Sequence, residues 1–193
     1  MRMDRLKLEQ ALGTLGAVLE QRGLRFEAVA VGGSSLLLLG LGTRPTRDLD
    51  LVARIEGGSY VRADPLPEPV AQACADVGLS LGLAPDWINA GPASLLDLGL
   101  PQGFEGRLTT CSFGGLTLHV AGRRDQIFFK LYAAVDQWPR SKHQADLERL
   151  DPTRDELLAG ARWARTHDPS EPFRQGLIRV LAEFGVEDGD AHI

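Results

Sequence analysis

Between Phe26 and Ala53 the hydrophobic pattern changes its period twice, and few folds accommodate that order. Phe26, Ala28, Val29, Ala30 and Val31 form a short β-prone run that stops at Gly32-Gly33, and Ser34 then opens an apolar segment at 35–41. This reads as strand, tight glycine turn and short helix. Thr43-Arg44-Pro45-Thr46-Arg47 ends that helix, because proline brings no N–H and clashes with the preceding turn. Asp48-Leu49-Asp50-Leu51-Val52-Ala53 then alternates with period two, as a half-buried strand does. Two strands with a helix between them need a sheet carrying helices, so the class is α+β.

The flanking segments extend the same plan. Leu6, Leu8, Leu12, Leu15, Val18 and Leu19 recur at helical intervals before Gly23, which predicts a helix over 5–22. Residues 57–69, rich in Gly and Pro, read as a loop, and a helix is expected over about 68–78. The stretch 79–105 has no readable period. Leu108–Phe113 and Leu116–Val120, separated by Gly114-Gly115, predict a β-hairpin. After Gly122 the stripe Ile127, Leu131, Ala134, Val135 and Trp138 starts a helical region, with further helices expected at about 142–150, 154–166 and 172–185 and a frayed end over 188–193. The expected organisation is an α+β core over 1–138, a mixed β-sheet flanked by helices, and a C-terminal helical appendage over 139–193 with Pro139 near the junction.

Composition narrows the function classes. A chain of 193 residues with 44% apolar content builds a core without metal or disulfide staples. Cys74 and Cys111 lack the paired spacing of a zinc site and read as two buried thiols in a reducing compartment. No apolar run approaches the roughly 20 residues of a membrane span, so the expected location is the cytoplasm, with no membrane partner. A net charge of −5 argues against broad coating of nucleic acid, which needs many phosphates neutralised at once. A local basic site requires the fold to gather some of Arg44, Arg47, Arg123, Arg124, Arg140, Lys142 and His143. Only Lys7, Lys130 and Lys142 are lysines, which makes each of them informative.

The chemistry gathers at the glycine turn and the following strand. Alternation puts Asp48 and Asp50 on one face while Leu49 and Leu51 point inward. At roughly 6.5 Å and an effective dielectric near 20, two such charges repel by about 2.5 kcal/mol. A divalent cation offsets that. Mg²⁺ takes one or two carboxylates together with substrate phosphates, which suits an Asp-x-Asp pair, whereas zinc would want a Cys or His cluster. Gly32-Gly33-Ser34, between strand and helix, presents backbone N–H groups, a helix start and a hydroxyl to phosphate oxygens.

Val31-Gly32-Gly33-Ser34 followed by Arg44-Pro45-Thr46-Arg47-Asp48-Leu49-Asp50-Leu51 resembles the signature of the DNA polymerase β-like nucleotidyltransferase superfamily, and within it the AbiEii-type abortive-infection toxins and related bacterial nucleotidyltransferase-like proteins. Lys130-Leu131-Tyr132-Ala133-Ala134 and Lys142-His143-Gln144-Ala145-Asp146-Leu147 are similar to later motifs of those families. The resemblance implies a nucleotidyltransferase fold and an enzyme that moves an NMP from an NTP to a hydroxyl of RNA, protein or a small molecule, with Mg²⁺ or Mn²⁺ as cofactor. It implies that Asp48 and Asp50 hold the metal, that Gly32, Gly33, Ser34, Thr46 and Arg47 line the nucleotide, and that Lys130 faces the triphosphate. It also implies a toxin–antitoxin or phage-defence setting with a cognate antitoxin as partner.

The helical wheel puts Lys130 at the border between core and solvent, and Lys142 with Asp146, four residues apart, reads as a surface ion pair. The resemblance also implies a third carboxylate on a neighbouring strand, but Leu116–Val120 carries none; His119 stands there instead, and Asp125 or Asp146 are other sources of an acid. The competing expectation is therefore a catalytically inactive protein of the same fold that binds a nucleotide or a partner.

Overall fold

The structure, a computed structural model, describes residues 2–97, 99–137, 139 and 141–193. Trp138 and Arg140, which the sequence assigns to the helical stripe and the basic set, lie outside the described residues. The chain forms two compact units, Met1–Gly122 and Arg123–Ile193, so the division falls before residue 138. It is α+β, with a mixed six-stranded sheet in the first unit and helices in both. No helix among the described residues is long and apolar enough to cross a membrane.

In the first unit α1 (Arg5–Gln21) is followed by β1 (Phe26–Val31), α2 (Gly32–Leu38), β2 (Leu49–Glu56), β3 (Ser59–Arg62), α3 (Glu68–Leu81), β4 (Ile88–Asn89), β5 (Thr109–Phe113) and β6 (Leu116–Val120). The strands lie in the order β3-β2-β1-β6-β5, and the short β4 adds to the outer edge of β2. β1 runs antiparallel to β2 and parallel to β6. One face of the sheet meets α1 and α3 in a core that includes Leu8, Leu12, Leu15, Leu19, Ala28, Ala30, Leu49, Leu51, Leu116 and Leu118. Burying Leu49 and Leu51 contributes roughly 1.5–3 kcal/mol each. A one-residue slip of β2 would exchange them for Asp50, so the register that holds Asp50 on the opposite face is firmly set.

Three local readings are corrected. β2 begins at Leu49, so Asp48 stands just before the strand, on the approach to it. The expected loop over 57–69 contains β3, joined to β2 through Gly57 and Gly58, whose φ values of +58° and +81° make a tight hairpin turn. The Gly and Pro of that stretch mask a strand of only four residues. Cys74 is buried, and burial pushes its thiol up to about 12, but Cys111 on β5 is partly exposed, because β5 is an outer strand of the sheet.

The second unit contains α4 (Arg123–Asp136), α5 (Lys142–Leu150), α6 (Arg154–His167) and α7 (Glu171–Glu183). Ile127, Leu131 and Ala134 of α4 are buried, as their spacing predicts. Side-chain caps from Ser141, Thr153 and Ser170 start the last three helices. Trp163 meets Phe129 edge to face at 5.4 Å and lies 4.3 Å from His167. The end expected to fray is tied: Arg174 donates to the Asp190 carbonyl at 3.0 Å and binds its carboxylate, closing a short 3₁₀ turn.

Candidate functional site

The site begins with a glycine that cannot be replaced cheaply. Gly32 has φ +83°, and a Cβ built there would lie 2.6 Å from Asp50 Oδ2. Its neighbour Val31 is paired with Asp50 across the β1–β2 ladder, so the sheet register itself brings the carboxylate against the turn. Gly33 is next: a Cβ there would sit 3.4 Å from Thr46 Oγ1 and 3.6 Å from Arg44 Nη2. Thr46 is buried, and its N–H and carbonyl are paired with Met3 at 2.9 and 2.6 Å. Its hydroxyl donates to the Asp48 carbonyl at 3.1 Å and lies 3.4 Å from Asp48 Oδ1. Asp50 thus lies against one glycine, and Asp48 is linked through Thr46 to the other. Both carboxylates are half-buried.

Ser34 completes the turn. Its hydroxyl and that of Ser35 are buried, with no hydrogen-bond partner among the described residues. Because an unsatisfied buried hydroxyl costs about 1–3 kcal/mol, such a group beside a glycine turn is a place where an anionic ligand would offset that cost. At seven residues α2 is a short helix, and the Arg44 guanidinium lies beside the turn that precedes it. Among the described residues no group of three or more His, Cys, Asp and Glu is placed to hold a metal ion. The donor set still fits Mg²⁺, which accepts one or two carboxylates and completes its shell with water and phosphate oxygens.

The other candidate residues have partners of their own. Arg47 is exposed, and its Nη2 meets Asp86 Oδ1 at 3.1 Å. His119 shares the sheet face of Asp50 but stands on β6, level with Val29, whereas Asp50 is level with Val31. Both its ring nitrogens are engaged, Nε2 with Glu27 at 2.7 Å and Nδ1 with Thr110 Oγ1 at 3.1 Å. Lys130 and Asp146 belong to the second unit and find each other: Nζ donates to Oδ2 at 2.6 Å, and each side chain is only 5% exposed. Lys130 is therefore a buried lysine and not a border one, and Asp146 is paired across helices with Lys130, not along α5 with the exposed Lys142. Helical spacing thus points to the wrong partner for Asp146.

Of the basic set, Arg123 donates to the Leu150 carbonyl at 2.6 Å, to the Asp151 carbonyl at 2.8 Å and to Glu156, while Arg124 lies 5.7 Å from the Phe128 ring centre. Two residues near the carboxylates escape sequence reasoning as site residues. Arg44 belongs to the motif, yet the sequence marks it only as one of several scattered cations. Asn89, whose Nδ2 donates to Asp50 Oδ1 at 3.1 Å, lies in the stretch that shows no period. Comparison with protein-family models, curated proteins and solved structures returned no match for this chain.

Proposed function

We propose that the chain is a magnesium-dependent nucleotidyltransferase whose site is the Gly32-Gly33-Ser34 turn with Asp48 and Asp50. The observation that carries this reading is the closeness of turn and carboxylates: Asp50 Oδ2 lies 2.6 Å from where a Cβ of residue 32 would be, and Thr46, which bonds to Asp48, stands beside Gly33. Asp48 and Asp50 would hold Mg²⁺ or Mn²⁺, which when bound neutralises phosphate charge and polarises the phosphoryl oxygens. The glycines let the backbone come close to the phosphates, and Arg44 offsets negative charge next to Gly33. An acceptor hydroxyl attacks the α-phosphate of the NTP; the new O–P bond forms as the bond to pyrophosphate breaks, and the hydroxyl proton passes to solvent. Positioning and charge neutralisation carry the catalysis. The resemblance to polymerase β-like enzymes extends the proposal to an RNA, protein or small-molecule acceptor and to an antitoxin partner.

A second reading keeps nucleotide binding and drops turnover. It is favoured by the absence of a carboxylate on β6 and by the engagement of His119 with Glu27 and of Asp146 with Lys130. One experiment separates the two. The protein is incubated with each α-labelled NTP, Mg²⁺ or Mn²⁺ and candidate acceptors, in parallel with thermal melting under the same conditions. Turnover that falls about 10²-fold or more in Asp48→Asn/Asp50→Asn supports the enzyme, since lost cation binding removes several kcal/mol of transition-state stabilisation. A metal-dependent rise in Tm without product selects the binding protein, and turnover untouched by the double substitution rejects the site.

A further inference from the structure

Residues 86–89 run alongside residues 47–50 and are fastened to them step by step. Asp86 meets Arg47, the Leu49 N–H donates to the Trp87 carbonyl at 2.7 Å, and Ile88 and Asn89 pair in parallel with Leu49 and Asp50. Trp87 anchors this splint. It is fully buried, its Nε1 donates to the Cys74 carbonyl of α3 at 2.8 Å, and Gly78 makes room for it, since a Cβ there would come within 2.9 Å of the indole.

At the end of the splint Asn89 makes two side-chain bonds. Its Nδ2 donates to Asp50 Oδ1 at 3.1 Å, and its Oδ1 accepts from the Gly91 N–H at 2.9 Å. The second bond decides the direction of the first: a backbone N–H needs an acceptor, so the carbonyl end of the amide must face Gly91 and the NH₂ end must face the carboxylate. Asp50 is thereby held at Oδ1 by the amide, while its Oδ2 occupies space at the turn that a side chain at residue 32 would take.

We infer that Asn89 is a positioning residue of the carboxylate site, holding Asp50 for a divalent cation. This rests on the reading of Asp48 and Asp50 as cation ligands. The group acts through Asp50: it immobilises the carboxylate without cancelling its charge, which a lysine or arginine at the same place would do.

The test is Mn²⁺ binding to the full chain, followed by electron paramagnetic resonance and calorimetry, for wild type, Asn89→Ala, Asn89→Asp and Asp50→Asn. Asn89→Ala loses both bonds, and its Kd for Mn²⁺ is expected to rise about 10–100-fold, the usual cost of removing a group that orients a ligand. Asn89→Asp keeps an oxygen for Gly91 but loses the N–H donor to Asp50, so its Kd for Mn²⁺ is also expected to rise. A role confined to holding the Gly91 turn predicts a changed Tm in Asn89→Ala and wild-type Mn²⁺ binding in Asn89→Asp. The inference is overturned if Asn89→Asp, or folded Asn89→Ala, binds Mn²⁺ at least as tightly as wild type. Wild-type binding lost in Asp50→Asn alone sinks the assignment of Asn89 and spares the cation site; a wild type that binds no Mn²⁺, with or without NTP, sinks both.

Discussion

Asp50 and Asp146 are each followed by a fully buried leucine, and each carboxylate accepts a hydrogen bond from a side-chain nitrogen, yet their surroundings give them opposite capacities. Asp146 meets an ammonium at 2.6 Å with both partners almost sealed from water. Attraction at that distance and burial is strong, but so was the cost of taking both ions out of water, and the pair has little charge left to offer a ligand. Asp50 is half-buried, accepts from a neutral amide at 3.1 Å and lies against a glycine turn. A neutral donor fixes a carboxylate without neutralising it. The role of an aspartate thus follows from the charge of its donor and its access to water, neither of which its neighbours in sequence specify.

Removing one partner from each tests the contrast most severely. Lys130→Ala leaves the Asp146 carboxylate buried without its ammonium, and the full chain should lose about 3–5 kcal/mol of stability in urea denaturation. Asp50→Asn should change stability by about 1 kcal/mol or less and abolish Mn²⁺ binding. Replacing both ions at once, Lys130→Met with Asp146→Leu, should recover most of the loss, because a well-packed apolar pair avoids the desolvation cost altogether. Equal losses in Lys130→Ala and Asp50→Asn would show that the two carboxylates do the same structural work.

Next in size is Gly32→Ala, which adds a Cβ both at positive φ and 2.6 Å from Asp50 Oδ2. Gly185→Ala supplies the comparison, since Gly185 has φ +78° but nothing within 4 Å of a built Cβ. Left-handed backbone alone costs roughly 1–2 kcal/mol, so Gly185→Ala should lower stability by that amount. Gly32→Ala should cost more and should also weaken Mn²⁺ binding, because Asp50 has to move. Matching losses of stability with Mn²⁺ binding intact would show that the turn and the carboxylate are independent.

How much of this is legible in the sequence follows from the range over which each signal acts. The turn at Gly32-Gly33 and the strand carrying Asp50 are readable because both rest on local chemistry: two glycines at a strand end, a proline stop, and a period-two alternation with Leu49 and Leu51 inside. The Leu8–Leu19 face of α1 and the stripe on α4 are readable for the same reason. Asn89 is not, since its significance comes from a parallel pairing with a strand far back in the chain, and a two-residue strand has no period to detect. The Lys130–Asp146 pair is half legible. Both residues stand out, but choosing between a partner one turn away and a partner on another helix requires tertiary structure, and local spacing favours Lys142.

The smallest expected effect belongs to Glu156, whose carboxylate stands between the two cases. Its Oε2 accepts from the Thr153 N–H at 2.9 Å in the box that caps α6, and its Oε1 accepts from Arg123 at 2.6 Å. Burial by itself would raise its carboxyl, but the Thr153 N–H and the Arg123 guanidinium outweigh it and hold the group below the ordinary 4.5. A depressed folded value means that the ionised form is favoured by folding, so the contribution is fully present above pH 4.5 and disappears as pH falls through the lower folded value. Glu156→Gln keeps an acceptor for the cap and loses the charge. It should therefore be less stable than wild type by roughly 1 kcal/mol near neutrality, the partial exposure of Arg123 screening the pair, and the two melting curves should converge in acid. Curves that stay parallel down to about pH 3 would mean that Glu156 acts through its shape and not its charge, which would place it nearer to Asn89 than to Asp146.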